Sequence, residues 1–226
     1  MSLQRPALRG KQTPRLEHYP LYVTSAGDDA VDLAAVAGLH LDEYQQYVLR
    51  HALGEDRDNR WAAYEVLVLA PRQNGKNVIL EARELAGLFL FGDRLQIHTA
   101  HEFKTAEEAF LNMQTRLRGC ELIEYVFGYE GDPDAAYIRG FRTSHGSESV
   151  QLKNGARLRY ATRTSGAGRG FSADLLVLDE AYALTNAQHG AIMPTMSARS
   201  LLKRPGFCSY LFLRGLEHAE EVFTRI

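Results

Sequence analysis

At 226 residues, with 45% hydrophobic and 24% charged side chains, the chain is long enough for one sizeable core and short for two full domains. No run approaches the roughly 20 apolar residues of a membrane-spanning helix, and the basic N-terminus lacks the apolar segment of a secretory signal. Cys120 and Cys208 are too few for a disulfide framework or a cysteine metal site and read as ordinary thiols of a reducing, cytoplasmic compartment.

A formal net charge of −2 hides an uneven distribution. Arg5, Arg9, Lys11 and Arg15 meet no acid over residues 1–15. Arg139, Arg142, Lys153, Arg157, Arg159, Arg163 and Arg169 are opposed over their span only by Glu148. Such a run fits either a polyanion contact, DNA or nucleotide phosphate, or a solvated arginine-bearing sheet face.

Residues 1–20 carry Pro6, Gly10, Pro14 and Pro20 among polar residues and read as an extended arm. A helix is predicted from near Asp42, with Leu41, Tyr44, Val48, Leu49 and Ala52 on one face and Gly54 closing it. Glu65 to Ala70 is short, apolar and bounded, as in a buried parallel strand. From Asn77 the period becomes helical and Gly92 stops it. Leu95–Ala100 is predicted as a strand and Lys104–Leu117 as a helix. Asn154-Gly155, between alternating residues 150–153 and 156–160, predicts a hairpin. Leu175–Leu178 reads as a fully apolar strand, Ala187–Met196 as a helix and Phe207–Leu213 as a last strand. Strands alternating with helices predict a three-layer α/β fold around a mainly parallel sheet, with the hairpin added.

Two stretches carry chemistry. Ala70-Pro71-Arg72-Gln73-Asn74-Gly75-Lys76-Asn77 joins a strand to a helix, where unpaired N–H groups and a partial positive charge favour phosphate. Gly75 would let the backbone approach the phosphates, and Lys76 would reach the β- and γ-phosphates. The loop departs from G-x-x-x-x-G-K-[ST] at Ala70, in place of the first glycine, and at Asn77, in place of the Mg²⁺-holding hydroxyl. About 100 residues later, Leu175–Leu178 runs into Asp179-Glu180. Asp179 would hold Mg²⁺ through its water shell and Glu180 would polarise the attacking water. Phosphoryl transfer also needs cationic stabilisation of the γ-phosphate. Arg169, between glycines, is the first candidate finger, Arg163 the second, and Arg72 another cation near the phosphates. His98 and His101 have metal-ligand spacing without a third ligand, and read as strand-end residues.

Three features resemble the N-terminal ATPase domain of the large terminase subunit, the DNA-packaging motor of tailed bacteriophages. They are the deviant loop Pro71–Lys76, the block Arg169–Asp174 leading into Val177-Leu178-Asp179-Glu180-Ala181, and Leu41-Asp42-Glu43-Tyr44-Gln45. In order and spacing they cover about residues 20–200. The resemblance implies an ASCE-type P-loop ATPase that uses ATP and Mg²⁺, with Tyr44 packing near adenine and Gln45 bonding to it. Residue typing alone also allows Gln45 as the helix-capping partner of Asp42. Glu180, Lys76 and Arg169 would be catalytic. Tyr44, Gln45, Arg72, Gln73, Asn74, Gly75, Lys76 and Asn77 would bind nucleotide, and Asp179 and Asn77 would hold Mg²⁺. Implied partners are double-stranded DNA, further copies in a ring on a phage portal, and the small terminase subunit, in the host cytoplasm and without a membrane.

On this reading residues 1–40 are an arm and lead-in and 41–226 the ATPase domain. Only Glu217, Glu220 and Glu221 are acidic beyond Glu180, so the family's nuclease domain is not expected in this chain. The small hydroxyl residues that couple hydrolysis to movement in the family are replaced by Phe212-Leu213-Arg214. A degenerate nucleotide- or DNA-binding module without turnover, or a helicase-type ATPase, are the competing readings.

Overall fold

A computed structural model of the protein describes residues 12–70, 74–144, 146–163, 172–181, 184–192, 196 and 207–212. Among them, helix α1 (Gly27–Val36) precedes α2 (Glu43–Ala52), with the short antiparallel pair β1 (Thr24–Ser25) and β2 (Gly54–Glu55) bracketing both. Asp42 caps α2 in extended conformation, φ −67° and ψ 160°, and its N–H donates to Gln45 Oε1 at 2.7 Å. That bond is one arm of the capping box expected of an Asp-x-x-Gln start.

Strand β3 (Glu65–Leu69) leads to α3 (Lys76–Ala86), which runs on as a π turn over Gly87–Phe91 until Gly92, φ 74°, stops it. β4 (Leu95–Ala100) and α4 (Phe103–Arg118) follow. α4 buries Ala106, Phe110, Met113 and Leu117, a single stripe at helical spacing. β5 (Phe141–Arg142), β6 (Ser149–Gln151) and β7 (Arg157–Thr162) come next. Gly155, φ 87°, turns β6 into β7, and Asn154 Oδ1 accepts from Ala156 N–H at 2.9 Å. β8 (Leu175–Leu178), α5 (Asn186–Ile192) and β9 (Phe207–Phe212) complete the described elements.

Apart from the β1–β2 pair, the described strands form a seven-stranded sheet in the order β3-β9-β8-β4-β7-β6-β5. The first five run parallel, and β6 and β5 extend the sheet antiparallel, so the predicted hairpin is its continuation. Because strand residues alternate faces, β8 sends Leu175 and Val177 into a large cluster with α1 to α4. Leu176 and Leu178 enter a second cluster with Leu95, Ile97, Ala181 and Met196. The sheet is thus covered by apolar clusters on both faces.

One expectation needs correction. The apolar run of β3 predicts a buried strand; it is parallel, but it pairs only with β9 among the described residues and is half-exposed, with Leu69 at 40%. A strand with one neighbour leaves its outer side open. Residues 27–36, in the lead-in for which no element is predicted, form α1, whose Ala30 and Ala34 are fully buried against the main cluster.

Candidate nucleotide site

The loop after β3 resumes at Asn74, which is exposed, and Gly75, which adopts φ 65°. That left-handed backbone favours glycine, and a Cβ there would lie 2.9 Å from Gln45 Nε2. Lys76 opens α3 and is 7% exposed, whereas Asn77 in the same turn is exposed. The first turn of α3 contains no acid, so its N-terminal dipole is left uncompensated by a local carboxylate.

Tyr44 and Gln45 hold this loop by its backbone. The Tyr44 hydroxyl donates to the Asn74 carbonyl, and Gln45 Nε2 donates to the Gly75 carbonyl at 2.9 Å. The same Gly75 oxygen accepts from Val78 N–H at 3.1 Å, so both of its lone pairs are used. Gln45 is 4% exposed, its carboxamide oriented by Asp42 at one end and Gly75 at the other. Burial pushes the Tyr44 phenol above its ordinary value, only partly opposed by Gln45, and it stays a donor at neutral pH. The capping alternative for Gln45 is therefore observed, together with a loop contact that sequence spacing did not predict.

At the far side of β9, the Leu175–Leu178 strand delivers Asp179, 1% exposed. The Asp179 N–H donates to Thr99 O at 2.8 Å, and Asp179 Oδ1 accepts from Glu180 N–H at 2.8 Å. Glu180 has φ 53°, a left-handed backbone rare for a residue with a side chain. Its carboxyl is pushed above the usual range by burial, then by Asp179 and Glu102, against the opposing pull of Arg163 and His101. Since β3 and β8 are parallel and separated by β9 alone, the loop and the acidic pair leave the same sheet edge. Two inter-strand spacings, about 10 Å, lie between them.

Arg163, the second finger candidate, is 3% exposed and turned inward. Its guanidinium donates to the carbonyls of Thr99 at 3.0 Å, Glu180 at 2.9 Å, and Asp179. Those bonds hold its planar fork on the backbone of the acidic turn. Arg72, Gln73 and Arg169 lie outside the described residues, as do Leu213 and Arg214 after β9.

His98 sits within β4, buried, its Nδ1 2.6 Å from Glu84 Oε1 of α3. Burial alone would lower its pKa, but the Glu84 charge and hydrogen bond outweigh that and raise it. Among the described residues no three His, Cys, Asp or Glu side chains gather as a metal cluster. Sequence reading missed Thr99, Arg163 as a backbone brace, Gln188, whose Nε2 donates to Arg163 O at 3.1 Å, and the Glu84–His98 pair. The one signal on offer was Gln96, His98 and Thr99 interrupting an otherwise apolar strand.

No family model matches the sequence, and no curated protein matches it. Solved structures do. The large terminase of bacteriophage HK97 superposes with a TM-score of 0.67 at 14% identity, over 89% of this chain and 42% of that one. The large terminase ATPase domain of Thermus phage P74-26 gives 0.56 at 18% identity, over 84% of this chain and 72% of that one. The large terminase of a further thermophilic bacteriophage gives 0.51 at 8% identity, over 74% of this chain and 38% of that one. The chain thus spans less than half the length of the HK97 protein. With a mixed sheet, apolar clusters on both faces and these consistent neighbours, the chain has the fold of the ATPase domain of bacteriophage large terminases.

Proposed function

We propose that the chain is an ASCE-type P-loop ATPase, the motor domain of a terminase large subunit that drives double-stranded viral DNA into a procapsid. One observation carries the reading: β9 alone separates β3 from β8, so the Lys76 helix start behind left-handed Gly75 and the turn of buried Asp179 and half-buried Glu180 share one sheet edge. A nucleoside triphosphate bound at the helix start would present its γ-phosphate toward the acids.

In this reading Lys76 and the first N–H groups of α3 hold the β- and γ-phosphates, with Arg72, Gln73 and Asn74 lining the loop. Asp179 and Asn77 would hold Mg²⁺, which when bound would offset phosphate charge. Two features fit that ion: Asp179 is an oriented carboxylate with acceptor capacity beyond the Glu180 N–H, and Asn77 is an exposed amide on the first turn of α3. Glu180 orients and polarises the attacking water, and Arg169 completes the charge stabilisation, supplied by a neighbouring copy in a ring. Tyr44 borders the adenine, while Gln45 holds the loop beside it and reaches the base only by exchanging its bond to Gly75. A phage portal, the small terminase subunit and DNA are the partners, in the host cytoplasm.

The test is phosphate release from ATP by the chain, with and without double-stranded DNA, against Glu180→Gln. Turnover that exceeds the variant about 100-fold, and DNA stimulation that fades as salt rises, are expected. Wild-type turnover no faster than Glu180→Gln would instead favour a binding module without hydrolysis.

A further inference from the structure

We infer that Arg163 is a positioning residue that sets the backbone of the Asp179-Glu180 turn and thereby the direction of the Glu180 carboxylate. The inference deepens the hydrolysis reading and rests on it for its kinetic consequence.

Four observations carry it. Arg163 extends the β4–β7 ladder by one rung, its N–H donating to Ala100 O at 3.0 Å, so its Cα is fixed by the sheet. Its guanidinium then spans three backbone acceptors of the site, those of Thr99, Asp179 and Glu180, while 3% exposed. Buried carbonyls at a strand end need partners, and a planar fork with several divergent donors can serve all three at once. Both peptide groups flanking Glu180 are held: its N–H by Asp179 Oδ1 and its carbonyl by Arg163 Nη2. With these fixed, the left-handed φ of 53°, costly for a side-chain-bearing residue, is over-determined, and the Cα–Cβ vector of Glu180 has one direction.

Arg163 is also a junction. Its own carbonyl accepts from Gln188 Nε2 of α5 at 3.1 Å. In the chain it immediately precedes the segment 164–171 that contains Arg169. One residue therefore ties β7, β4, the acidic turn and α5 together.

The experiment pairs Arg163→Lys with Arg163→Gln in the full chain. Lysine keeps the charge and gives up the fork; glutamine keeps one donor group and gives up the charge. Amide hydrogen exchange is read at Glu180, with Leu176 and Val177 of β8 as internal references. In Arg163→Lys, exchange at Glu180 is expected to rise about tenfold, the equivalent of one net hydrogen bond, with both references unchanged. Its kcat for ATP is expected to fall about 10²-fold with KM within about threefold, the signature of misplacement without lost binding. Arg163→Gln is expected to lie lower still in kcat.

Glu180 exchange equal to wild type in Arg163→Lys, or a loss confined to KM, overturns the inference. If Arg163→Gln does not fold, Arg163→Lys decides the matter alone. A wild type without turnover removes the hydrolysis reading, and the exchange comparison then still decides whether Arg163 braces the turn.

Discussion

Gln45 donates from its carboxamide to the Gly75 carbonyl at 2.9 Å, and so fastens the start of α2 to the last residue before helix α3. The other end of the same carboxamide accepts from Asp42 N–H at 2.7 Å. One side chain thus caps a helix and fixes a left-handed glycine 30 positions away.

These two roles separate in Gln45→Glu. A carboxylate still accepts from Asp42 but cannot donate to Gly75, and it brings negative charge beside the loop. Helix content should be unchanged by far-UV circular dichroism, while ATP affinity by titration calorimetry falls about tenfold. Gln45→Ala removes both bonds and should also cost about 1 kcal/mol in stability. Wild-type affinity in Gln45→Glu would show that the Gly75 bond has no bearing on nucleotide.

The buried Glu84–His98 pair makes stability depend on pH. The net shift raises the folded His98 pKa: burial lowers it, but Glu84 and the more distant Asp179 charge outweigh burial and Arg163. A group raised above its unfolded value of about 6.5 contributes stability that is complete below that value. The contribution is then lost as pH rises through the folded pKa. Urea midpoints measured from pH 6 upward should therefore fall in the wild type and fall much less in Glu84→Gln. At pH 6 the variant should be about 3 kcal/mol less stable, as when one partner of a buried pair is removed. Parallel pH curves would contradict this account of the pair.

Packing of α1 on α2 rests on Gly27. A Cβ there would stand 2.4 Å from Arg50 Cα and 2.7 Å from Arg50 N, atoms of a helix backbone that cannot yield as a side chain does. Gly27→Ala should cost about 1–3 kcal/mol by chemical denaturation. Gly190, exposed in α5, is the contrast, with nothing within 4 Å of where a Cβ would stand. Gly190→Ala should be neutral or stabilising by up to about 1 kcal/mol. Equal effects at the two positions would refute the steric argument.

What was legible in the sequence follows from how each residue type signals. Leu95–Ala100 and Leu175–Leu178 read directly as strands because bounded runs of this length are buried where central strands lie. Asn154-Gly155 announced its turn because the turn needs the positive φ that Gly155 adopts. Helix α1 was missed because its buried face is alanine, Ala30 and Ala34, which gives a weak apolar period beside Asp28, Asp29 and Asp32. The half-exposed edge position of β3 depends on strand order, which local pattern does not encode.

The cationic run over 139–169 looked uniform and is not. Arg163 is buried on backbone carbonyls, whereas Arg139 lies exposed 3.5 Å from Glu130 and over the Phe127 ring. Only folding distinguishes a structural arginine from a surface one of identical type. In the candidate site, the strand-to-helix passage at Gly75-Lys76 and the strand ending in Asp179-Glu180 were readable from local sequence. The contacts that hold them, from Gln45, Arg163 and Thr99, join residues distant in sequence and have no local signature.

The central claim, that this sheet edge hydrolyses a nucleoside triphosphate, is tested most directly by separating binding from turnover. ATP affinity and single-turnover hydrolysis would be measured side by side for the wild type, Lys76→Ala and Glu180→Gln, with Mg²⁺ present. The account predicts that Lys76→Ala loses affinity, and that Glu180→Gln binds ATP as the wild type does while hydrolysing it about 100-fold more slowly. Equal hydrolysis by wild type and Glu180→Gln, or undiminished affinity in Lys76→Ala, would contradict it.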